Sequence, residues 1–400
     1  MVRFKIGIFL HFYTILTTKM SYFSQTRISM FKYSSVLACL CFIGFQQLLA
    51  QENSTIAPKY SNEFLQIGIG GKAMGMSNAV VASVDDVSSS YWNPAGLTRM
   101  TSKFQGALMH SEYFAGIAKY DYLGLSYKID EKSAVGFTAI RFGVDDIPNT
   151  TQLIDNNGNI DYDRITRFTA ADYGFLFSYA RALPIEGLTF GANAKVIYRK
   201  VGDFASAYGF GLDFAMQYKY KKWNFGAVMR DAVSTFNAWV FNLDEQTKEV
   251  FLATGNEIPQ NGLELTLPRL ILGAHRKFDL GEKGFSIAPE INAAITTDGR
   301  RNVLISAKPF SIEPYMGLQF AFKDIVAVRM GVGNMQRVTN FDESKELNIQ
   351  PNIGLGFRIS AVHIDYAYTN IGGLSAALYS HVISLKIHLN QLSKNTQPSN

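Results

Sequence analysis

The chain has 400 residues, 47% of them hydrophobic and 13% aromatic, and only two cysteines. Its formal charge of +5 comes from the first fifty residues, where Arg3, Lys5, Lys19, Arg27 and Lys32 stand without an acid. The other 350 residues carry 33 basic and 33 acidic side chains. That balance excludes a basic footprint for nucleic acid, and with Cys39 and Cys41 both inside the charged leader a disulfide-stapled fold is excluded too.

Residues 1–50 are expected to be a leader and signal peptide with the true start at Met30. Lys32 supplies a positive region, Val36 to Phe45 an apolar run, and Leu48-Leu49-Ala50 a cleavage site before Gln51. The earlier run from Ile6 to Leu16 is then either an over-long translation start or a leader extension. Val36-Leu37-Ala38-Cys39 has the outline of a lipid-attachment box, but the apolar run continues past the cysteine, where a cleaved box would end it.

Residues 51–100 open a different question. Gly68-Ile69-Gly70-Gly71-Lys72-Ala73 has the G-x-G-x-x-A spacing of a dinucleotide loop. Such a loop needs a strand before it, a helix after it and further βαβ units, and every later segment of this chain has period two. The alternative is a compact hatch or plug whose small residues (Gly68, Gly70, Gly75 and Gly96 among them) let backbone approach backbone. In it Asn93-Pro94-Ala95-Gly96 supplies a turn.

Residues 101–390 alternate. Tyr208, Phe210, Leu212, Phe214, Met216, Tyr218 and Tyr220 fall on one face of a strand, with Gly209, Gly211, Asp213, Ala215, Gln217 and Lys219 on the other. Leu188 to Arg199, Tyr315 to Lys323, Val326 to Val332, Val362 to Tyr368 and Ile383 to Leu389 repeat the pattern, with Ile197 the one exception. A soluble sandwich would turn its greasy face inward and show Lys, Glu and Thr outside. Ten-residue strands with aromatic ends and a second face of Gly, Ala and isolated charges instead predict an all-β transmembrane barrel of the outer membrane, with lipid as the partner of the greasy face. Counting segments from Phe104 to Leu389 gives roughly 14 antiparallel strands, two either way. Asp145 to Arg167 and Ser234 to Leu267, polar and without clean alternation, are expected to be long outward loops. Residues 391–400 form a polar tail.

Catalytic patterns are thin. There is no H-E-x-x-H and no G-x-S-x-G. His110 with Glu112 is an isolated H-x-E at a strand end, and His363 with Asp365 shares one strand face as a hydrogen-bonding pair. No catalytic residue, metal ligand or cofactor is expected. Lys195, Asp213, Glu290 and Asp365 fall on the small faces and are expected to line the lumen, either paired with one another or touching the hatch or a passing ligand.

Glu63-Phe64-Leu65, Ile67-Gly68-Ile69-Gly70, Ala73-Met74-Gly75-Met76, Asp85-Asp86 and Tyr91-Trp92-Asn93-Pro94-Ala95-Gly96-Leu97 together resemble the amino-terminal signature of the PorV/PorQ proteins, relatives of the FadL-type outer-membrane transporters. The resemblance continues through Tyr208 to Asp213, Trp223 to Asp231 and Leu267 to Ala274, so it covers most of the chain after the leader. It implies a 14-stranded barrel with an internal amino-terminal hatch. In the PorV branch, which serves type IX secretion in Bacteroidetes, such a barrel binds the carboxy-terminal signal of secreted proteins and hands them to surface attachment. Its implied partners are those proteins and other secretion subunits. In the FadL branch it passes long-chain fatty acids or other hydrophobic compounds. The expectation is the first, a non-enzymatic secretion shuttle, with the channel as the alternative. This chain departs from many barrels in ending on His388-Leu389-Asn390 and a polar tail where they carry a terminal aromatic residue.

Overall fold

A computed structural model describes residues 61–154, 159–299, 301–307, 310–339, 344–369 and 380–389. The expected leader and signal peptide, the first ten residues of the expected hatch and the polar tail lie outside these. The wall is built of strands β1 Phe104–Tyr113, β2 Ala118–Lys128, β3 Ser133–Asn149, β4 Thr166–Ala182, β5 Leu188–Val201, β6 Ala205–Tyr220, β7 Trp223–Arg230, β8 Thr235–Phe241, β9 Gly262–Thr266, β10 Arg269–Arg276, β11 Phe278–Leu280, β12 Phe285–Thr296, β13 Ile305–Ser306, β14 Ser311–Phe322, β15 Val326–Thr339, β16 Lys345–Ile359, β17 Val362–Thr369 and β18 Ser380–His388. All pairings are antiparallel. The sheet closes where β18 pairs with β1, from Gln105 opposite His388 to Glu112 opposite His381.

Because β7 and β8 follow each other along β6, because β9, β10 and β11 form one further column, and because β13 is a stub on β14, the wall has 14 columns. Closure leaves no long sheet edge to pair in hydrocarbon. Fourteen strands spaced about 4.8 Å apart and tilted about 40° enclose a cylinder about 28 Å across. That is too wide for wall side chains alone to fill.

The period-two pattern sorts by face as the alternation predicts. Tyr208, Phe210, Tyr218, Phe320, Met330 and Ile383 point out and are exposed, whereas Gly211, Asp213, Gln217, Ala321, Arg329 and Ser384 point in and are buried. Ile197, the exception, is fully buried and packs on the lumenal segment. Ile291 and Ile383 are each 59% exposed. A ring of such residues is untenable in water and natural in lipid. Aromatic belts bound it. Tyr173, Tyr198 and Tyr208 stand in contact at one end, and Tyr218, Trp223, Phe225, Phe285 and Phe322 mark the other. From Tyr208 to Tyr218, at about 3.3 Å per residue and a tilt of about 40°, the band is about 25 Å tall, the thickness of an outer-membrane hydrocarbon core. The chain is therefore an outer-membrane β-barrel. No helix among the described residues is long and apolar enough to cross a membrane.

Connections at the Trp223 end are short: 129–132, 183–187, 221–222, 281–284, 323–325 and 360–361. At the Tyr208 end they include 150–165, 242–261 and 297–310. Short periplasmic turns and long extracellular loops orient the barrel. One expectation needs correction here. Ser234 to Leu267 is not a loop throughout, since it holds wall strands β8 and β9 and a helix, Glu245–Ala253, capped by the Asp244 side chain. Phe236, Ala238 and Val240 on β8 alternate outward but are separated from β7 by a break, which hides the strand in a linear reading.

Candidate functional site

Residues 61–103 lie inside the barrel. A one-turn 3-10 helix (Glu63–Leu65), two short helices (Gly71–Gly75 and Ser89–Trp92) and a second 3-10 helix (Pro94–Arg99) fold against the inner faces of the wall and are largely buried. Gly75 is needed for close approach, because a side chain there would lie 2.8 Å from the Cα of Gly354 on β16. Gly96 sits as tightly under the Val84 carbonyl. Gly68 and Gly70 differ. Their φ angles of +105° and +81° are what demand glycine, and a Cβ on Gly70 would meet open space. Asn93 caps the second 3-10 helix through the Ala95 N–H and donates its amide to the carbonyls of Val81 (2.8 Å) and Met216 (3.1 Å). Pro94 opens that helix, and with Ala95 it fills the space over Gly191 of β5. No side chain fits there.

The four charges expected in the lumen all point inward and separate into three places. Lys195 on β5 and Asp213 on β6 pair at 2.8 Å, with Lys195 also bonded to Asp231. Asp365 on β17 takes Arg329 at 2.7 Å and lies 3.6 Å from Lys386, which in turn bonds Asp86 of the lumenal segment at 2.7 Å. Glu290 on β12 accepts the Ala82 N–H of the lumenal segment at 2.7 Å. At Asp86, burial pushes the carboxyl up, but the Lys386 and Lys72 charges outweigh it and hold the group well below the usual carboxylate range. His363 does not pair with Asp365. It stacks on His388, ring centroids 4.6 Å apart. His110 is on the outer face, 2.7 Å from Asp121.

Further wall groups anchor the same segment. Gln217 donates to the Val84 carbonyl (2.9 Å), Asn193 to that of Ser90 (3.0 Å) and Asn352 to the Ser77 hydroxyl (2.7 Å). Arg230 donates to the carbonyls of Leu65 (3.2 Å) and Tyr91 (3.1 Å), with its guanidinium 4.7 Å over the Tyr91 ring. These residues were absent from the sequence-based set. A signal existed, since Arg230, Arg329 and Lys386 each interrupt the small face of an otherwise clean strand.

The wall itself is broken at one level. Between the pairs Arg230–Arg269 and Thr235–Thr266, residues 231–234 and Leu267-Pro268 leave the ladder together. Pro268 has no N–H to give, and Asp231 and Ser234 take φ of +54° and +61°. The break is fastened from inside by the Asp231 N–H on Asp213 (2.8 Å), by Lys195 between the two aspartates, and by the Ala232 N–H on Leu212 (2.8 Å). Above it β9 pairs with β8 alone among the described residues, because β12 ends opposite Arg269.

Behind the break lies a pocket bounded by Leu65, Tyr91, Leu176, Pro268 and the Lys195 cluster, with about 30 Å³ free to the centre of a water molecule, room for one or two waters. Gln66, Arg230, Arg269, Thr296 and Arg301 line both this pocket and an extracellular vestibule of about 730 Å³. The end of the lumenal segment closes it, Asn62 donating to Thr266 of β9 (2.8 Å) and accepting from Asn237 of β8 (3.0 Å). A separate chamber of about 210 Å³, with Asp86, Arg329, His363 and Lys386 in its lining, faces the periplasmic turns. Among the described residues no group of three or more His, Cys, Asp or Glu is placed to hold a metal.

No protein-family model matches the sequence, and no curated protein matches it. Among solved structures the chain is similar to the CymD monoaromatic hydrocarbon channel, at 14% identity and TM-score 0.47 over 80% of this chain and 96% of that one. It is similar also to the toluene transporter TbuX of Ralstonia pickettii, at 12% and 0.48 over 80% and 98%, and to a FadL homologue of Pseudomonas aeruginosa, at 11% and 0.45 over 78% and 96%. At these identities and scores no residue role and no substrate is carried over from them.

Proposed function

We propose that the protein is a FadL-like transporter that takes small hydrophobic molecules from the extracellular side and releases them sideways into the membrane. One observation carries this reading: two neighbouring wall strands break at the same level, directly outside a pocket that continues into the vestibule. A continuous wall would be simpler to build and more stable, so a break held by a buried lysine and two aspartates is a costed feature of the fold. Leu65, Tyr91 and Leu176 offer an apolar surface at the break, and the vestibule arginines suit a molecule with one polar or anionic end. Residues 61–66 would act as the latch.

The test is a disulfide. Asn62→Cys with Thr266→Cys ties the latch to β9, and residues 51–400 contain no native cysteine to interfere. Uptake of long-chain fatty acid or toluene by cells carrying the pair should fall to the level of a deletion strain when oxidised and return on reduction. Uptake that ignores the crosslink, or that never depended on the protein, sinks the channel.

A second reading, a type IX secretion shuttle, is favoured by a different observation. The lumenal segment is tied at many buried points to β5, β6, β12, β16 and β18, and recognition of cargo at the rim requires no passage through it. Capture of carboxy-terminal signal domains by the purified barrel, with secretion stalled and hydrocarbon uptake intact on deletion, would favour it over the channel.

A further inference from the structure

The outer surface carries a second recess, on the periplasmic half of the same columns and independent of what passes the break. Three small residues, Ala227 on β7, Ala274 on β10 and Ala293 on β12, sit among Tyr218, Phe225 and Ile291 on the lipid-facing side. The lowered surface leaves an apolar groove of about 650 Å³, within the ~300–1,000 Å³ of small-ligand sites. Two residues further toward the periplasm the same faces turn basic and aromatic. Arg276 pairs with Trp223 in the ladder, its guanidinium 5.3 Å from the Trp223 ring and 4.5 Å from that of Phe278. Its Nε is buried without a hydrogen-bond partner. In the two-residue turn beside it Lys221 lies 5.3 Å over Tyr220, followed by Lys222. Lys277 is neutralised by Asp324 at 3.2 Å, and Glu186 and Asp279 are the nearby acids in the adjoining turn and strand.

We propose that this face binds one anionic phospholipid of the periplasmic leaflet, its acyl chain in the alanine-floored groove and its phosphate at Arg276, Lys221 and Lys222. The groove lies within the hydrocarbon band, which makes its occupant an acyl chain. The cations lie one short step beyond the aromatic belt, at the depth of headgroups. The distance fits a single lipid, since tail and phosphate need to be joined over only two residues of strand, about 7 Å.

Native mass spectrometry of the full protein, reconstituted with equal phosphatidylglycerol and phosphatidylethanolamine and then extracted in mild detergent, tests this. One phosphatidylglycerol should be retained with a preference of about tenfold or more, the size expected when two or three cations face one phosphate. Ala274→Phe should empty the groove. Lys221→Glu with Lys222→Glu, on an exposed turn that leaves the groove intact, should abolish the preference and so keeps the test open if the first variant does not fold. Equal retention of both lipids by the native protein, retention unchanged in the charge variant, or recovery of a polypeptide on this face in place of lipid overturns the proposal.

Discussion

Single side chains settle how the barrel holds its contents. Lys386 stands between Asp86 of the hatch and Asp365 of the wall, all three buried. Removing one member of a buried ion cluster leaves an unpaired charge and costs about 3–5 kcal/mol. Lys386→Met is therefore expected to lower stability by that order, measured by the denaturant midpoint of the heat-modifiable band on gels. The pH response gives a sharper check. The Asp86 carboxyl is held well below its usual range in the folded protein, so its contribution is complete above the ordinary carboxylate pKa of about 3.9 and disappears only as pH falls through the lower, folded value. The native barrel should keep its midpoint between pH ~7 and ~4 as far as this group decides it. In Lys386→Met the buried carboxylate has lost its cation, protonation relieves it, and the deficit against the native protein should shrink as pH falls. A deficit constant with pH would mean that packing, not charge, explains the variant.

Strands and breaks carry the next level. Gly226 on β7 faces the Val81 carbonyl of the hatch, and a Cβ there would lie 2.4 Å from that oxygen. Gly226→Val cannot be absorbed by turning a flexible side chain, because the obstacle is backbone. The strand or the hatch must move, and planar-bilayer recordings should show open-pore conductance where the native protein is closed. Closed recordings from a folded variant would mean that the wall yields instead. The fourteen-column wall and its two faces were legible in the sequence because residues such as Phe210, Leu212 and Asp213 obey period two wherever lipid lies on one side and the lumen on the other. The break was not legible. Asp231 to Ser234 and Leu267-Pro268 read as ordinary turns in one dimension, and only pairing across thirty-odd residues brings them to one level. For the same reason Lys195 and Asp213 were visible as lumen charges, whereas their union with Asp231 was not. Hatch contacts such as Asp86 with Lys386 join residues 300 apart, beyond any local pattern.

The molecule, as far as it is described, is a closed wall with residues 61–103 folded inside and β18 paired to β1. Losing β18 should therefore cost more than one strand. Truncation before Ser380 removes Lys386 and Ser384, two hatch anchors, as well as one side of the closing ladder, and such a chain is expected to be degraded in the periplasm and absent from outer-membrane fractions on immunoblots. Stable insertion of the truncated chain would show that closure does not depend on the final strand. The seam also dictates a sequence of events. Once β1 and β18 have zipped, a segment of some forty residues with buried lysine and carboxylate partners has no route through the finished cylinder, so it must already be stowed while the two margins stand apart. Synthesis makes the cargo of the lumen first and its lid last, and whatever factor catalyses insertion has to keep the margins separated until that stowage is complete.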